Sequence, residues 1–331
     1  MYVLHFAFKI LHLTFYVFYS VLSVPPWFNH SSGVEKVTSQ EDPWTVGRLL
    51  SWTVEYLGKH GADNPRLDAE VLLAEARGCK RIDLYAAFGD MADEETRTAF
   101  RELVRRRAAG TPVAYLVGHR EFYSLEFEVN PDVLIPRPET ELLVVALLDH
   151  VKKRTPADTI IEVADIGTGS GILAVCAARY VPNARVTAID ISPAALAVAR
   201  RNAERHKVAE RISFVEGNLL SSEPAEPRFD FIVSNPPYVS TTEMEQLAPN
   251  VRDHEPDVAL RAGETGTDVI APLIEQAVSR LKPGGALFIE ISPMLAAAVE
   301  QLVRGQALLE LGPTIKDLAG HASVVQATRR C

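Results

Sequence analysis

The amino-acid sequence predicts an α/β fold, a mostly parallel seven-stranded sheet with helices on both faces, preceded by a small helical domain. Three observations carry that expectation. Short β-branched runs alternate with helical stretches across the second half of the chain, the pattern of a parallel sheet whose crossovers lie on its faces. A glycine-rich turn, Gly167 to Gly171, follows the first of these runs and opens a helix at Ile172. Upstream, from Trp44 to Ala108, apolar residues recur at helical spacing.

The 331 residues are 47% hydrophobic and 23% charged, the balance of a soluble globular protein with a sizeable core and two domains. A formal net charge of −9 argues against a protein that coats nucleic acid by neutralising phosphates. No direct nucleic-acid partner is expected. Cys79, Cys176 and Cys331 are scattered, with no CxxC pair and no His/Cys cluster at metal spacing. Neither a metal site nor a disulfide framework is implied, and a reducing, cytoplasmic setting fits.

Residues 1–42 read as an apolar N-terminal extension and linker. Tyr2 to Val24 are mostly apolar and aromatic, near the roughly 20 residues a membrane span needs. Lys9, His5 and His12 interrupt the run and no small-residue cleavage site is clear. An extension outside the functional fold is preferred to an anchor, and membrane contact is expected only through this segment.

The helical domain is expected over 43–110. Val46, Leu49, Leu50, Val54 and Leu57 mark one helix, Leu67, Val71, Leu72 and Ala76 a second, and Glu94 through Leu103 to Ala108 a third. A β-hairpin connector is expected over 111–136: Leu125, Phe127 and Val129 alternate, Asn130, Pro131 and Asp132 turn the chain, and Val133 to Ile135 return it. The remaining domain, 137–331, opens where Pro138, Glu139 and Glu141 suit the start of a helix over Leu142 to Lys152. Its strands are expected at Ile160 to Ile166, Arg185 to Ile189, Arg211 to Val215, Phe229 to Ser234, Ala286 to Ile291, Leu308 to Leu311 and Val324 to Ala327.

Gly167, Gly169 and Gly171 let the backbone turn tightly and approach a ligand at the carboxyl end of the sheet. The spacing is GxGxG, not the GxGxxG of a dinucleotide fingerprint. Asp190 ends the second strand, about twenty residues on, where a carboxylate can accept both hydroxyls of a ribose. Asn218 closes the third strand and can meet an adenine edge. The set fits S-adenosylmethionine. Taken singly, the glycines also serve strand-to-helix packing, and Asp190, followed by Ser192 and Pro193, also suits a helix cap.

After the fourth strand come Asn235, Pro236, Pro237 and Tyr238. The nitrogen of an amide or exocyclic amine is a poor nucleophile because its lone pair is delocalised, so an enzyme must grip its N–H groups and aim that lone pair. The Asn235 oxygen can accept one N–H, the Pro236 carbonyl another, and Tyr238 supplies a flat face. As isolated residues the prolines also read as a strand terminator and Tyr238 as a core aromatic.

With these residues the chain resembles the peptide chain release factor glutamine methyltransferases, the PrmC/HemK group of class I S-adenosylmethionine enzymes, over about residues 43–330. The most specific element is the co-occurrence of Ile135-Pro-Arg-Pro-Glu-Thr-Glu141 with Asn235-Pro-Pro-Tyr238. Pro65-Arg-Leu-Asp-Ala-Glu70, Glu255-Pro256 with Ala259-Leu260, and Asp317-Leu-Ala-Gly320 support it. The resemblance implies N5-methylation of the glutamine in the Gly-Gly-Gln loop of class 1 release factors, with the helical domain helping to hold that partner. It places the cofactor on Gly167, Thr168, Gly169, Ser170, Gly171, Asp190, Asn218, Leu219 and Asn235, and the glutamine on Asn235, Pro236, Pro237 and Tyr238. Asn235, Pro236 and Tyr238 would carry the catalysis.

Asn218 and Leu219 stand where the family usually has Asp and an aromatic residue, and Ser292 and Pro293 where it commonly has Gly. The tetrad alone is shared with enzymes that methylate nucleobase amino groups. A ribosomal-protein glutamine methyltransferase and a nucleic-acid amino-methyltransferase are therefore the alternatives at this stage. His254, beside Glu255, is expected to be a solvent-facing loop residue rather than a base.

Overall fold

The computed structural model describes residues 43–154 and 159–331, so the apolar run from Tyr2 to Val24 lies outside the described residues. No helix among the described residues is long and apolar enough to cross a membrane. The chain forms two units that divide between Ala109 and Gly110.

The first unit is helical: α1 (Val46–Lys59), α2 (Pro65–Arg77), α3 (Arg81–Ala86) and α4 (Glu94–Ala108). Thr45 and Asp93 cap α1 and α4 by accepting from the amides of Arg48 and Thr96, which satisfies donors that a helix start leaves free. Leu49, Leu57, Leu72, Leu73, Phe100 and Val104 form its core. Leu67 was expected on the inward stripe of α2 but is 44% exposed. Ala69, Leu72 and Leu73 set that stripe, and Leu67 stands just over half a helical turn from Ala69.

The Pro65 to Glu70 motif is a structural network. Asp68 pairs with Arg107 at 2.8 Å, and Glu70 accepts from Arg66, Arg81 and Tyr85. Burial raises the Glu70 carboxyl, but the hydrogen bonds from Tyr85, Arg81 and Arg66 outweigh it and hold the group at about 2.

The second unit starts with α5 (Val113–Val117) and a hairpin of β1 (His119–Phe122) and β2 (Leu125–Glu128). The hairpin turns at Tyr123 and Ser124, not at Asn130 to Asp132, and Val133 to Ile135 form no strand. Tyr123 and Ser124 have φ of 49° and 59°, the sign a two-residue hairpin turn requires. They lack its usual Asn-Gly signal, and the Glu141 carboxylate secures the turn by accepting from the Tyr123 amide at 2.9 Å. Asn130 still makes a local turn through its side chain, which accepts from the Asp132 amide.

After a 3₁₀ turn at Pro138–Thr140 come α6 (Glu141–Arg154), β3 (Ile161–Ile166), α7 (Ile172–Tyr180), β4 (Ala184–Asp190), α8 (Pro193–Arg205), β5 (Ile212–Glu216) and β6 (Phe229–Ser234). Three short turns, α9 (Thr241–Met244), α10 (Pro249–Arg252) and α11 (Asp257–Leu260), precede α12 (Ile270–Arg280), β7 (Leu281–Glu290), α13 (Ala296–Arg304), β8 (Leu309–Leu311), β9 (Ile315–Lys316) and β10 (Ala322–Arg329). The sheet runs β5-β4-β3-β6-β7-β10-β8, with β9 beside β10. The strands from β5 to β7 are parallel, and β10 is antiparallel to its neighbours. Within this sheet the two-residue β9 is the strand the sequence pattern did not announce.

Both faces are buried, which is why the strands read as continuous apolar runs. Val163, Phe231, Val233 and Phe288 pack on one face with Leu143 and Leu147 of α6 and Val175 of α7. Ala164, Ile166, Ile232, Leu287 and Ile289 pack on the other with Ile270 and Leu273 of α12 and Val299 of α13. Each such leucine, isoleucine or phenylalanine contributes roughly 1.5–3 kcal/mol by leaving water. From β3 the chain builds outward to β5, then returns to place β6 on the opposite side of β3. That reversal opens a crevice beyond the carboxyl ends of β3 and β6.

Candidate active site

The segments that leave β3 and β6 meet at this crevice. Ser234 Oγ donates to the Ile166 carbonyl at 2.7 Å, tying the two strand ends together. A Cβ added to Gly167 would stand 4.0 Å from the Asn235 carbonyl oxygen. The glycine-rich turn and the Asn-Pro-Pro-Tyr tetrad, far apart in the chain, are therefore neighbours.

Gly167, Gly169 and Gly171 have φ of +70°, +54° and +83°, a region that glycine enters without steric cost. The amides of Gly167 and Thr168 donate to the Ile189 carbonyl at 2.8 and 3.0 Å. Gly169 N donates to Asp190 Oδ2 at 2.8 Å, and Asp190 Oδ1 accepts from Ser192 N at 2.9 Å. Burial raises the Asp190 carboxyl, opposed by those amides. Beneath the loop Asp165 accepts from Thr168 Oγ1 at 2.7 Å and from Ala174 N at 3.0 Å, while its Oδ1 has no partner. Burial pushes this carboxyl up to about 7.

A cavity of about 410 Å³ opens over these strand ends. Gly167, Thr168, Gly169, Ser170, Asp190, Asn218, Leu219, Asn235 and Pro237 line it. Gly171, Pro236 and Tyr238 do not. Gly171 ends the loop as the cap of α7, where an added Cβ would meet the Ala199 Cβ at 3.0 Å. Pro236 is buried, and Tyr238 packs against the core of α12 and α13. Burial, then the nearby Glu290, pushes the Tyr238 phenol up to about 12. Leu219 holds a left-handed φ of 54°, and the next amide, Leu220 N, donates to Gln276 Oε1 of α12 at 2.9 Å.

The far wall is built by segments that the sequence singled out only by resemblance. Glu255, with its side chain 1% exposed, accepts from Ile135 N at 3.1 Å and pairs with Arg137 at 2.5 Å. This fastens the Pro136 to Thr140 segment against the cavity. Val239 N donates to the Leu260 carbonyl and Ala262 N to the Val239 carbonyl, so the tetrad's continuation carries α11 and its Asp257, Val258 and Ala259 to the rim. His254 is half-buried rather than solvent-facing, its imidazole lying against Gly110.

Asn235 Nδ2 donates to Thr140 Oγ1 at 3.1 Å. With the nitrogen side of the carboxamide so engaged, Oδ1 is left as a free acceptor. Thr140, which holds Asn235 through its hydroxyl, and Glu290, which closes the neighbouring strand, were not recognised from sequence as parts of the site. The signal was present: Glu290 is an acidic residue closing a buried apolar run, Ala286 to Ile289, and such a charge is rarely left there without a task.

The N-terminal part of the chain, residues 48–118, matches the PrmC N-terminal domain, and residues 140–251 match the methyltransferase small domain. A release factor glutamine methyltransferase from Rhodopirellula baltica is 48% identical over 288 residues, which cover 87% of this chain and 97% of that protein. The chain belongs to the release factor glutamine methyltransferase family. Release factor glutamine methyltransferases from Geobacter sulfurreducens and Moorella thermoacetica are 43% and 39% identical, covering 77% and 86% of this chain and 87% and 99% of those proteins.

As a release factor glutamine methyltransferase the protein has the class I methyltransferase fold and uses S-adenosylmethionine as methyl donor. The cavity fits that group: its volume suits a nucleoside-sized ligand, its floor carries no side chain at Gly167 and Gly169, and Asp190 stands at one end. Each Asp190 oxygen accepts one backbone N–H and retains a lone pair, the acceptor pair that two neighbouring ribose hydroxyls need.

Proposed function

We propose that this protein transfers the methyl group of S-adenosylmethionine to the N5 side-chain amide of the glutamine in the Gly-Gly-Gln motif of class 1 release factors. The observation that carries this reading is the Asn235 carboxamide, tethered through Nδ2 to Thr140 with Oδ1 left to accept an N–H beside the glycine-rich loop. The identities above supply the substrate class.

When bound, S-adenosylmethionine supplies an electrophilic sulfonium methyl. Gly167 to Ser170, Asp190, Asn218, Leu219 and Asn235 would hold it, with Gly171 closing the loop behind them. Asn235 Oδ1 and the Pro236 carbonyl each accept one N–H of the glutamine, and Tyr238 supports the tetrad from the core side. This grip fixes the amide plane so that the nitrogen lone pair, perpendicular to it, is aimed at the donor. The nitrogen would gain a bond to the methyl carbon as the carbon–sulfur bond breaks, the electron pair leaving with sulfur in the neutral thioether S-adenosylhomocysteine. A proton would pass to water as positive charge develops on nitrogen, so no dedicated base is required. Orientation of two reactants can supply up to about 7–11 kcal/mol of a barrier, and a donor or acceptor aimed at developing charge a further few kcal/mol.

The test is a labelling experiment with methyl-labelled donor. Separate incubations contain a class 1 release factor, its Gly-Gly-Gln glutamine→Ala variant, ribosomal protein and duplex DNA. Label is expected only on the unaltered release factor, on the peptide containing that glutamine. Label on the Ala variant, or on ribosomal protein or DNA in its place, would overturn the assignment.

A further inference from the structure

A carboxamide is nearly symmetric in shape, and a flip of Asn235 would present a donor where the substrate amide needs an acceptor. Something must set its orientation. Glu290 closes β7, which runs parallel to β6 with Ile289 opposite Ser234, so its side chain leaves the sheet beside Asn235. Glu290 is 3% exposed and Thr140 fully buried. The Thr140 and Asn235 side chains favour the ionised form of the neighbouring Glu290 carboxyl, Asn235 Nδ2 donates to Thr140 Oγ1 at 3.1 Å, and Glu290 Oε2 has no partner. An ionised carboxyl accepts only. It can therefore only accept, from the Thr140 hydroxyl and the nitrogen side of Asn235, whereas a protonated carboxyl can donate and tolerates the flipped amide.

We propose that Glu290 is a positioning residue for methyl transfer, its carboxylate and the Thr140 hydroxyl together locking the Asn235 carboxamide with Oδ1 toward the substrate nitrogen. This rests on the glutamine-methylation reading above. The charged and titratable groups facing Glu290 are Glu139 within the 3₁₀ turn, Arg137 just before it, and Tyr238 after β6. From β10 it meets Val324. Burial outweighs the effect of Thr140 and places the carboxyl at about 7, so the lock engages as pH rises through neutrality.

The experiment compares the full-length wild type with Glu290→Gln and Thr140→Ser. Wild-type kcat on a release factor should rise with pH along a limb centred near the Glu290 value. Glu290→Gln should lose that limb and show kcat about 10- to 100-fold lower, the cost of a misplaced catalytic group, with a smaller change in KM. Thr140→Ser keeps the hydroxyl and should keep the limb. Independently, the Asn235 side-chain amide resonances of the protein alone should titrate through neutrality in wild type and stay flat in Glu290→Gln. Unchanged kcat and limb in Glu290→Gln, or the same Asn235 titration in both proteins, overturns the proposal. If wild type methylates no glutamine, the functional reading fails while the resonances still judge the lock. Should Glu290→Gln not fold, the resonances of Thr140→Val take its place, flat if the relay exists and unchanged if it does not.

Discussion

Asn235 is useful only as part of a set. Its Nδ2 is held by Thr140, its backbone is drawn to the glycine turn by the Ser234 bond to Ile166, and it stands on the cavity wall near Asp190. Replacing it with alanine removes an oriented acceptor but leaves the glycine turn and Asp190 in place. Asn235→Ala should lower kcat by about two orders of magnitude or more, the scale on which a single oriented polar partner acts. Affinity for S-adenosylmethionine should change less, and steady-state kinetics set beside calorimetric titration of the donor checks the split. Near-normal turnover would remove the part given to Asn235. The same logic separates it from Asp165, whose carboxyl also rises to about 7 by burial but whose contacts are to Thr168 and Ala174 below the loop. Asp165 shapes the loop, and Asn235 lines the cavity.

Among the elements, the β3 to α7 turn has the least freedom. Gly171 combines φ +83° with the Ala199 backbone and Cβ of α8 within 3.0–3.4 Å of any added Cβ. Gly171→Ala should destabilise the protein by about 1–3 kcal/mol, from left-handed strain and overpacking together. Urea unfolding measures it, and an unchanged midpoint would mean that α8 gives way easily. Leu219 is the corresponding strain point on the opposite wall: a residue with a side chain holds φ 54° there while Gln276 grips the amide that follows. The Pro136 to Thr140 segment has no regular partner beyond its 3₁₀ turn. The buried Glu255 carboxylate, bridging Ile135 N and Arg137, gives it a fixed place, and through Thr140 that place reaches Asn235.

For the whole molecule, three carboxyls among the described residues have the large shifts that shape how stability depends on pH. Glu70 lies at about 2 against an ordinary 4.5, so its contribution is complete above the ordinary value and is lost as pH falls from about 4.5 toward 2. Asp165 and Glu290 lie at about 7 against ordinary values of 3.8 and 4.5. Between those limits the folded chain holds protons that the unfolded chain has released, so stability falls as pH rises toward neutrality. The slope is up to about 1.4 kcal/mol per pH unit for each group. The thermal midpoint should therefore peak on the acid side of neutrality, and Glu290→Gln should flatten the decline above the peak. A wild-type midpoint that climbs steadily through neutrality would contradict both assignments. The pH that ionises Glu290 for its proposed task is the pH that weakens the fold, a conflict common where a site demands a buried charge.

Much of this protein was legible before its structure. Continuous apolar runs such as Phe229 to Val233 announce strands buried on both faces, because a parallel sheet shields both sides from water, and the seven runs gave the seven strands of the main path. The glycine turn, Asp190 and the tetrad were visible because tight backbone and amide-gripping chemistry restrict residue choice. Other features depended on contacts between distant segments. The hairpin turns at Tyr123 and Ser124 because Glu141, eighteen positions later, secures the Tyr123 amide, and no local propensity marks that turn. Leu67 was misplaced because neighbouring elements, not the periodicity of α2 alone, decide which stripe is buried. Thr140, Glu255 and Glu290 came together only when the chain reversed direction beside β3. A local pattern specifies backbone form and residue chemistry, whereas the partner of a buried polar group is fixed by which strand ends the topology makes adjacent.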